Sequence, residues 1–465
     1  MIIKQNKKFM SQSILSFLPF SATTQQASSL NAIETFFLSD DDFILLKGAA
    51  GTGKTSIMIA VVDFLASKEV PFQLLAPMGR SAKTISAKTK QIAKTIHSHI
   101  YIPHTDTEKA ITTMVLKAND RASEQVFIID ESSMISDKKT ASEDFDSANP
   151  LLTDLIHFIK KGNKASKIIF VGDDCQLQPI GYETQESSPA LDLAYLSNKF
   201  GLKGGETALT QVMRQCEGSS IFQTAHEIRR NIIGTQSALP QLIGTTFYKP
   251  EHAVKLYLDR FDLGKQDKVA IVTFTNAYAK DCNTKIRSRL GLKNTLAVGD
   301  TVMLNQSYMG QHYVSSGEIG IVKNLNTKIN EVAGLQFMEA ELAFKDDSDT
   351  TFTVIENVLL NAIDGSYTKA KRKDLFAAAK KNNPSFRNSD DIRDDPFLRA
   401  IQLSYGHAIT GYKAQGSEWD TVILNTWMPE PDQFRYLYTG VTRARKELFG
   451  NGSHNHRNKS KDFSC

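Results

Sequence analysis

The chain has 465 residues, 41% hydrophobic and 23% charged, which excludes a disordered chain and gives material for roughly three domains of about 150 residues each. No run approaches the roughly 20 apolar residues needed to span a bilayer, so no membrane partner or membrane-embedded function is expected. With 55 Lys and Arg against 51 Asp and Glu, the net charge of +4 is too small to announce a polyanionic partner by itself.

At the start, Lys4, Lys7 and Lys8 precede a partly apolar stretch, 14–20. Serines interrupt it and Pro19 breaks it, so no cleaved signal is expected. Short apolar runs at 43–46, 72–76, 126–130 and 167–172 then alternate with helical stretches, the pattern of parallel βαβ units. The polar segment 136–150 reads as a surface loop. A second α/β set follows, with expected strands at 269–275, 404–410 and 421–425. Between the first two of these, residues 292–360 read as short alternating segments with turn signals, a small β-barrel inserted in the second sheet. A charged stretch, 364–396, comes next, with Lys369, Lys371, Arg372, Lys373, Lys380, Lys381 and Arg387. The four cysteines, Cys175, Cys216, Cys282 and Cys465, form no CxxC pair. That usage argues against a disulfide framework or zinc site and for a reducing, cytoplasmic setting.

Three strand ends carry the chemistry. Gly48, Ala49, Ala50, Gly51, Thr52, Gly53, Lys54 and Thr55 form a complete GxxxxGK[ST], followed by Ser56, between an apolar strand and a helix. Its backbone N–H groups close around phosphate oxygens, Lys54 holds the β- and γ-phosphates, and Thr55 ligates Mg²⁺. The run 126–129 then delivers Asp130 and Glu131, the first placed to hold Mg²⁺ and the second to deprotonate an attacking water. A Glu beside the metal-holding Asp favours hydrolysis over transfer to another acceptor. Finally, the strand 168–171 runs into Gly172 and Asp173 and on to Gln176, an amide suited to a γ-phosphate or its attacking water.

The order of GAAGTGKT, IIDES, VGDDCQLQP, LTQVMRQ, AITGYKAQGSEWD and YTGVTRARKEL resembles the superfamily 1 helicases of the RecD-like branch, from about residue 20 to 448. That resemblance implies an α/β fold, with two RecA-like P-loop domains with parallel sheets and a small SH3-like β-barrel inserted in the second. The implied boundaries are 1–205 for the first domain, with a wedge insertion at about 98–124, and 206–290 with 397–450 for the second. Residues 291–396 hold the barrel and charged segment, and 451–465 a disordered tail. ATP and Mg²⁺ are the implied cofactors, bound in the cleft between the two domains. Arg214 and Arg443 match the arginines that reach the γ-phosphate, which in other NTPases are worth roughly 10³–10⁵ in rate. Gln26, preferred over Gln25, matches the adenine-reading glutamine, and Glu418 a ribose contact. Pro77, Met78 and His97 of the first domain match strand-gripping positions, as do Thr275, Asn276, Thr410 and Lys413 of the second.

This sequence departs from the family pattern at Tyr412, where a His is usual, at Met78, where a Thr is common, and at Ser316-Gly-Glu, where Asn-Gly-Glu is typical. Tyr101 and Ile102 are the candidate wedge residues. The implied activity is ATP-dependent translocation on single-stranded DNA, 5′→3′, with unwinding of forked DNA. The rival readings are an RNA or RNA–DNA helicase and a nucleotide-gated P-loop binding module that does not translocate.

Overall fold

The computed structural model describes residues 12–106, 111–120, 123–139, 145–147, 149–179, 181–182, 187–211, 220–234, 246–247, 252–263, 265, 267–310, 312–345, 350–428 and 433–450. The chain forms two compact units, one of Met1–Asp174, Gln178–Gln215 and Asn294–Ser404, the other of Cys175–Leu177, Cys216–Lys293 and Tyr405–Cys465.

The first unit begins with strands β1 (Phe43–Gly48), β2 (Phe72–Ala76), β3 (Ala93–Thr95), β4 (Tyr101–Asp106), β5 (Ile111–Leu116), β6 (Val126–Ile129), β7 (Phe145–Ser147), β8 (Lys167–Gly172) and β9 (Gly204–Leu209). Six of them form one parallel sheet in the order β3-β2-β6-β8-β1-β9. The apolar runs of β1, β2, β6 and β8 are nearly continuous because both faces are covered, whereas the edge strands β3 and β9 are partly exposed. Successive residues point to opposite faces, so Ile44 and Leu46 join Leu30, Phe37, Ile57 and Phe64 on one side, while Phe43 and Leu45 join Leu155, Ile159 and Leu196 on the other. β4 and β5 pair as an antiparallel hairpin, with β7 parallel to β5. One wedge candidate is corrected here. Tyr101 is buried and donates its hydroxyl to Asp154 Oδ2 at 2.8 Å, so it is a core residue, whereas Ile102 faces water.

The second unit's sheet begins with β10 (Thr246–Phe247) and β11 (Val269–Thr273). The chain then builds an insertion from β12 (Thr301–Leu304), β13 (Tyr308–Met309), β14 (Tyr313–Val314), β15 (Ile319–Val332), β16 (Leu335–Lys345), β17 (Thr351–Leu359) and β18 (Leu403–Tyr405). Five of these make a sheet in the order β17-β16-β15-β12-β18, around a core containing Val302, Leu304, Val322, Leu342, Phe344 and Leu403. The sheet curls until Val358 of β17 bridges to Ile401 beside β18. The charged stretch is helical over Lys369–Asn382 and Pro384–Ser389, and Leu375 anchors it against Leu335, Phe337 and Leu359.

Although inserted between strands of the second sheet, this element groups with the first unit. Lys83, on the helix Gly79–Thr89, donates to Glu318 Oε2 at 2.9 Å and to the Lys345 carbonyl at 2.5 Å. Gly79 fits only because it lacks a side chain, since a Cβ there would lie 2.0 Å from Ser315 Cβ. Gly79→Ala is therefore expected to destabilise the protein by about 1–3 kcal/mol through overpacking, read as a lower midpoint in urea unfolding. An unchanged midpoint would mean that helix and insertion do not meet there.

The second sheet is completed by β19 (Ala408–Thr410), β20 (Trp419–Leu424) and β21 (Ala444–Gly450), all parallel, in the order β10-β21-β20-β11-β19. The single strand expected over 404–410 is corrected to two, because the chain changes sheet at Gly406 and His407. His407 is fully buried, its Nδ1 sharing a 2.8 Å hydrogen bond with Tyr257 Oη, and burial pulls its pKa down to about 3. β21 pairs on both sides and is a complete strand, while the tail 451–465 lies outside the described residues. Among the described residues no helix is long and apolar enough to cross a membrane.

Candidate functional site

In the first unit the loop after β1 turns through Gly51 (φ +79°) and Gly53 (φ +95°), left-handed conformations that favour glycine, and enters the helix Lys54–Ser67. Thr52 donates its hydroxyl to the Ala49 carbonyl at 2.9 Å. Lys54 Nζ donates to the carbonyls of Gly48 at 2.6 Å and Ala49 at 3.0 Å, so the ammonium lies folded over its own loop. Thr55 and Ser56 occupy the first helical turn, half-buried.

Gln26 sits in a reciprocal cap with Thr23 at the start of the helix Thr24–Leu38. Its Oε1 accepts from the Thr23 N–H at 3.0 Å and its own N–H donates to Thr23 Oγ1 at 3.2 Å. Its Nε2 faces Gly53, where a Cβ would come within 2.5 Å. Gln25 instead bonds to Thr210 and to the Gln211 N–H. Gln26 is thus the glutamine placed against the phosphate loop.

β6 ends beside β2, with the Asp130 N–H donating to the Leu75 carbonyl at 3.0 Å. Glu131 takes φ +51°, a left-handed conformation costing about 1–3 kcal/mol in a non-glycine residue and typical of functional turns. Burial, and then repulsion by Glu131, hold the Asp130 carboxyl above the usual carboxylate range, with Lys54 and Lys88 opposing the shift. Two crowded acids in reach of the phosphate loop are a donor set that a hard divalent cation relieves.

The turn after these acids is anchored by a residue that sequence patterning does not single out. Asp137 accepts from Thr153 Oγ1 at 2.6 Å, Tyr195 Oη at 2.7 Å and Lys199 Nζ at 2.5 Å. Burial alone would raise its pKa, but these hydrogen bonds and the Lys199 charge outweigh burial and hold it below the normal carboxylate value. A depressed folded pKa contributes stability that is fully present above the unfolded value of about 3.9 and is lost as pH falls through the folded one. Asp137→Asn is thus expected to lose about 1–3 kcal/mol at neutral pH, with the difference from the wild type shrinking below pH 4. Urea unfolding at pH 7 and pH 3.5 checks this, and equal loss at both would refute the charge-based account.

The carboxyl edge of the first sheet also forms a cleft of about 200 Å³, lined by Pro77, Met78, Gly79, Thr95, His97, Ser307 and Ser316. Three of the predicted strand-gripping residues, Pro77, Met78 and His97, are brought together there. Thr95 caps the short helix Ile96–Ile100 by accepting from the Ser98 N–H; the His97 ring lies 5.7 Å from that of Tyr101, and desolvation of the imidazole lowers its pKa. Met78 faces the turn at Gly317, where a Cβ would lie 3.5 Å from its methyl carbon. Ser307 is a new member of the cleft. A lone serine in a polar turn carries no sequence signal, and only the insertion's packing brings it there.

In the second unit, residues Cys175–Leu177 are held by a Leu177 N–H donating to Thr439 Oγ1 at 2.9 Å and by Gln415 Nε2 donating to the Leu177 carbonyl at 2.9 Å. Gln176 Oε1 is buried without a hydrogen-bond partner, an acceptor left to be satisfied by something else. Arg443 is buried, and its guanidinium donates to the carbonyls of Thr439 at 3.1 Å and Ser417 at 3.2 Å and to Thr442 Oγ1 at 3.1 Å. Arg214 lies outside the described residues. Glu418 is half-buried at the entry to β20. Thr275 and Asn276 follow β11, Thr275 accepting from the Tyr278 N–H as a helix cap and Asn276 exposed. Thr410 ends β19, and burial lowers the pKa of nearby Lys413.

Comparison with known proteins finds matches on both units. A family model described as an AAA domain matches residues 23–241, and one described as a UvrD-like helicase C-terminal domain matches residues 405–449. The chain is 25% identical over 435 residues to the ATP-dependent RecD2 DNA helicase of Deinococcus radiodurans, covering 92% of this chain and 49% of that protein. It is 22% identical over 480 residues to the RecBCD enzyme subunit RecD of Buchnera aphidicola subsp. Schizaphis graminum, covering 91% and 73%. The chain spans 36% to 73% of the length of the curated relatives it matches, about half for RecD2. The fold is that of the Pif1 helicase from Candida albicans, with a TM-score of 0.50 at 15% identity over 93% of this chain and 94% of that one.

Proposed function

We propose that this chain, a relative of the superfamily 1 helicases of the RecD-like branch, is an ATP-driven motor that moves along single-stranded DNA and opens forked duplexes. One observation carries the reading. Along the carboxyl edge of a single parallel sheet, the ends of β3 and β2 open the cleft of His97 and Met78, the next strand, β6, presents Asp130 and Glu131, and β1 presents the phosphate loop. Asp130 therefore stands between the phosphate loop and a cleft in which the hydroxyls of Thr95, Ser307 and Ser316 and the His97 imidazole sit beside Pro77 and Met78, and it is hydrogen-bonded to the β2 backbone.

Phosphate oxygens take over the Lys54 ammonium from the loop carbonyls, joined by the N–H groups of Gly51–Gly53. Thr55 and Asp130 are the residues that would hold Mg²⁺, which would supply charge neutralisation for the phosphates. Glu131 accepts the proton of the attacking water, and the Gln176 amide orients that water. Gln26 reads adenine and Glu418 the ribose. Arg443, with Arg214, stabilises charge on the transferring phosphoryl group, as the resemblance implies. Pro77, Met78, His97, Thr275, Asn276, Thr410 and Lys413 track the strand backbone, so sequence preference is weak. We read the curled insertion sheet as an SH3-like barrel and the β4–β5 hairpin, with Ile102 on its exposed side, as the wedge.

The test is ATP-dependent unwinding of duplexes with a 5′ or a 3′ single-stranded tail, beside ATPase stimulation by single-stranded DNA and RNA. Unwinding of the 5′-tailed duplex with DNA-stimulated turnover is expected. Stronger stimulation by RNA would transfer the motor to an RNA track. ATP binding without stimulation or unwinding would leave a P-loop binding module.

A further inference from the structure

The chain has two tryptophans, and the structure treats them oppositely. Trp419, at the start of β20, is 1% exposed, whereas Trp427, just past the end of β20, is 46% exposed. An indole is the largest apolar side chain, and one left in water forgoes the burial its size would bring.

The backbone that carries it is fixed. The Asn425 N–H donates to the Val272 carbonyl at 2.8 Å, prolonging the β20–β11 pairing. Tyr436 donates its hydroxyl to the Asn425 carbonyl at 2.6 Å, and its ring packs edge-on against Phe274 at 5.6 Å. Asn425 Oδ1 accepts from the Trp427 N–H at 3.2 Å. The last register pair of β20 and β11 is Leu424 with Val272, so Trp427 follows β20 at the carboxyl edge of the second sheet, the same edge at which Thr275 and Asn276 follow β11 and Thr410 ends β19.

We propose that Trp427 is a stacking platform for an unpaired nucleobase, a binding site on the second unit. A flat π-face on a hydrogen-bonded turn at the same sheet edge as amide and hydroxyl groups suits a base whose strand those groups contact, and every base has such a face. A protein partner would call for a contiguous apolar patch. Here both chain neighbours, Thr426 and Met428, are buried, so the described segment offers the indole and no run of exposed apolar residues. The inference rests on the single-strand motor reading.

The experiment titrates the full chain with oligo(dT), following tryptophan emission and, separately, the anisotropy of end-labelled oligo(dT). With Trp419 enclosed, quenching of the wild type reports Trp427. Trp427→Ala should raise the Kd for oligo(dT) about 5- to 150-fold, the 1–3 kcal/mol of one base–aromatic stack. Trp427→Phe should lose the quenching yet keep the affinity within about threefold. An unquenched wild type that still binds, or an alanine variant with wild-type affinity, would overturn the stacking site while leaving the motor reading standing and a protein partner as the use of Trp427. A wild type that binds no oligo(dT) and whose ATPase it does not stimulate would remove the motor reading and this site with it.

Discussion

Replacing Lys54 with alanine is expected to lower kcat for ATP by at least about 10²–10³-fold, the usual cost of removing one preorganised donor to developing charge. The side chain's two bonds go to carbonyls of its own loop, Gly48 and Ala49. Those carbonyls are neutral acceptors, and a bound triphosphate offers the same ammonium stronger, charged ones. The exchange is what separates this lysine from a structural one. Losing two loop hydrogen bonds costs about 1–3 kcal/mol of stability, so the variant should remain folded. Steady-state ATP turnover beside thermal unfolding decides the matter. A folded Lys54→Ala protein turning over ATP within tenfold of wild type would show that the loop holds something other than the reacting triphosphate.

How much of this was legible before the fold was known depended on whether the determinants were local. β1, β2, β6 and β8 read directly as strands because each is covered on both faces and so apolar throughout. β3 and β9 did not. Ala93-Lys-Thr is a strand only because Leu74–Ala76 of β2 offers it a ladder, and Gly204 pairs with Phe43 so closely that a Cβ would lie 2.4 Å from the Phe43 carbonyl oxygen. The phosphate loop was legible because consecutive residues build it. The cleft was half legible, since the ends of β2 and β3 supply Pro77, Met78 and His97 locally, but Ser307 and Ser316 arrive on an insertion far along the chain. Tyr101 is hidden for the same reason: its ring packs with Phe127 and Leu155 and its hydroxyl meets Asp154, all on other elements, and no pattern around residue 101 announces those partners. His407 likewise marks a change of sheet that alternation of apolar and polar residues cannot signal.

The second large effect is expected at Arg443. Arg443→Ala should bind ATP with near wild-type affinity and hydrolyse it about 10³–10⁵-fold more slowly, the loss seen when a guanidinium no longer meets the transferring phosphoryl group. The side chain's surroundings favour this over a structural ion pair. Its donors reach two carbonyls and a hydroxyl, neutral acceptors that orient the guanidinium without cancelling its charge. Arg445, two positions on, is the contrast: it pairs with Asp267 at 2.8 Å and Asp420 at 3.2 Å on the surface. Arg445→Ala should therefore turn over ATP like the wild type, since such exposed pairs contribute about 0–1 kcal/mol. Alanine at 443 also strands the buried carbonyls of Ser417 and Thr439, at about 1–3 kcal/mol, so low activity alone would be ambiguous. Nucleotide affinity and unfolding midpoint measured on the same preparation separate the two effects. Arg443→Lys adds a second check, because it keeps the charge but not the fork of donors and should recover only part of the rate. A folded Arg443→Ala variant with normal turnover would take this residue out of the chemistry, leaving Arg214 as the arginine still to be tested.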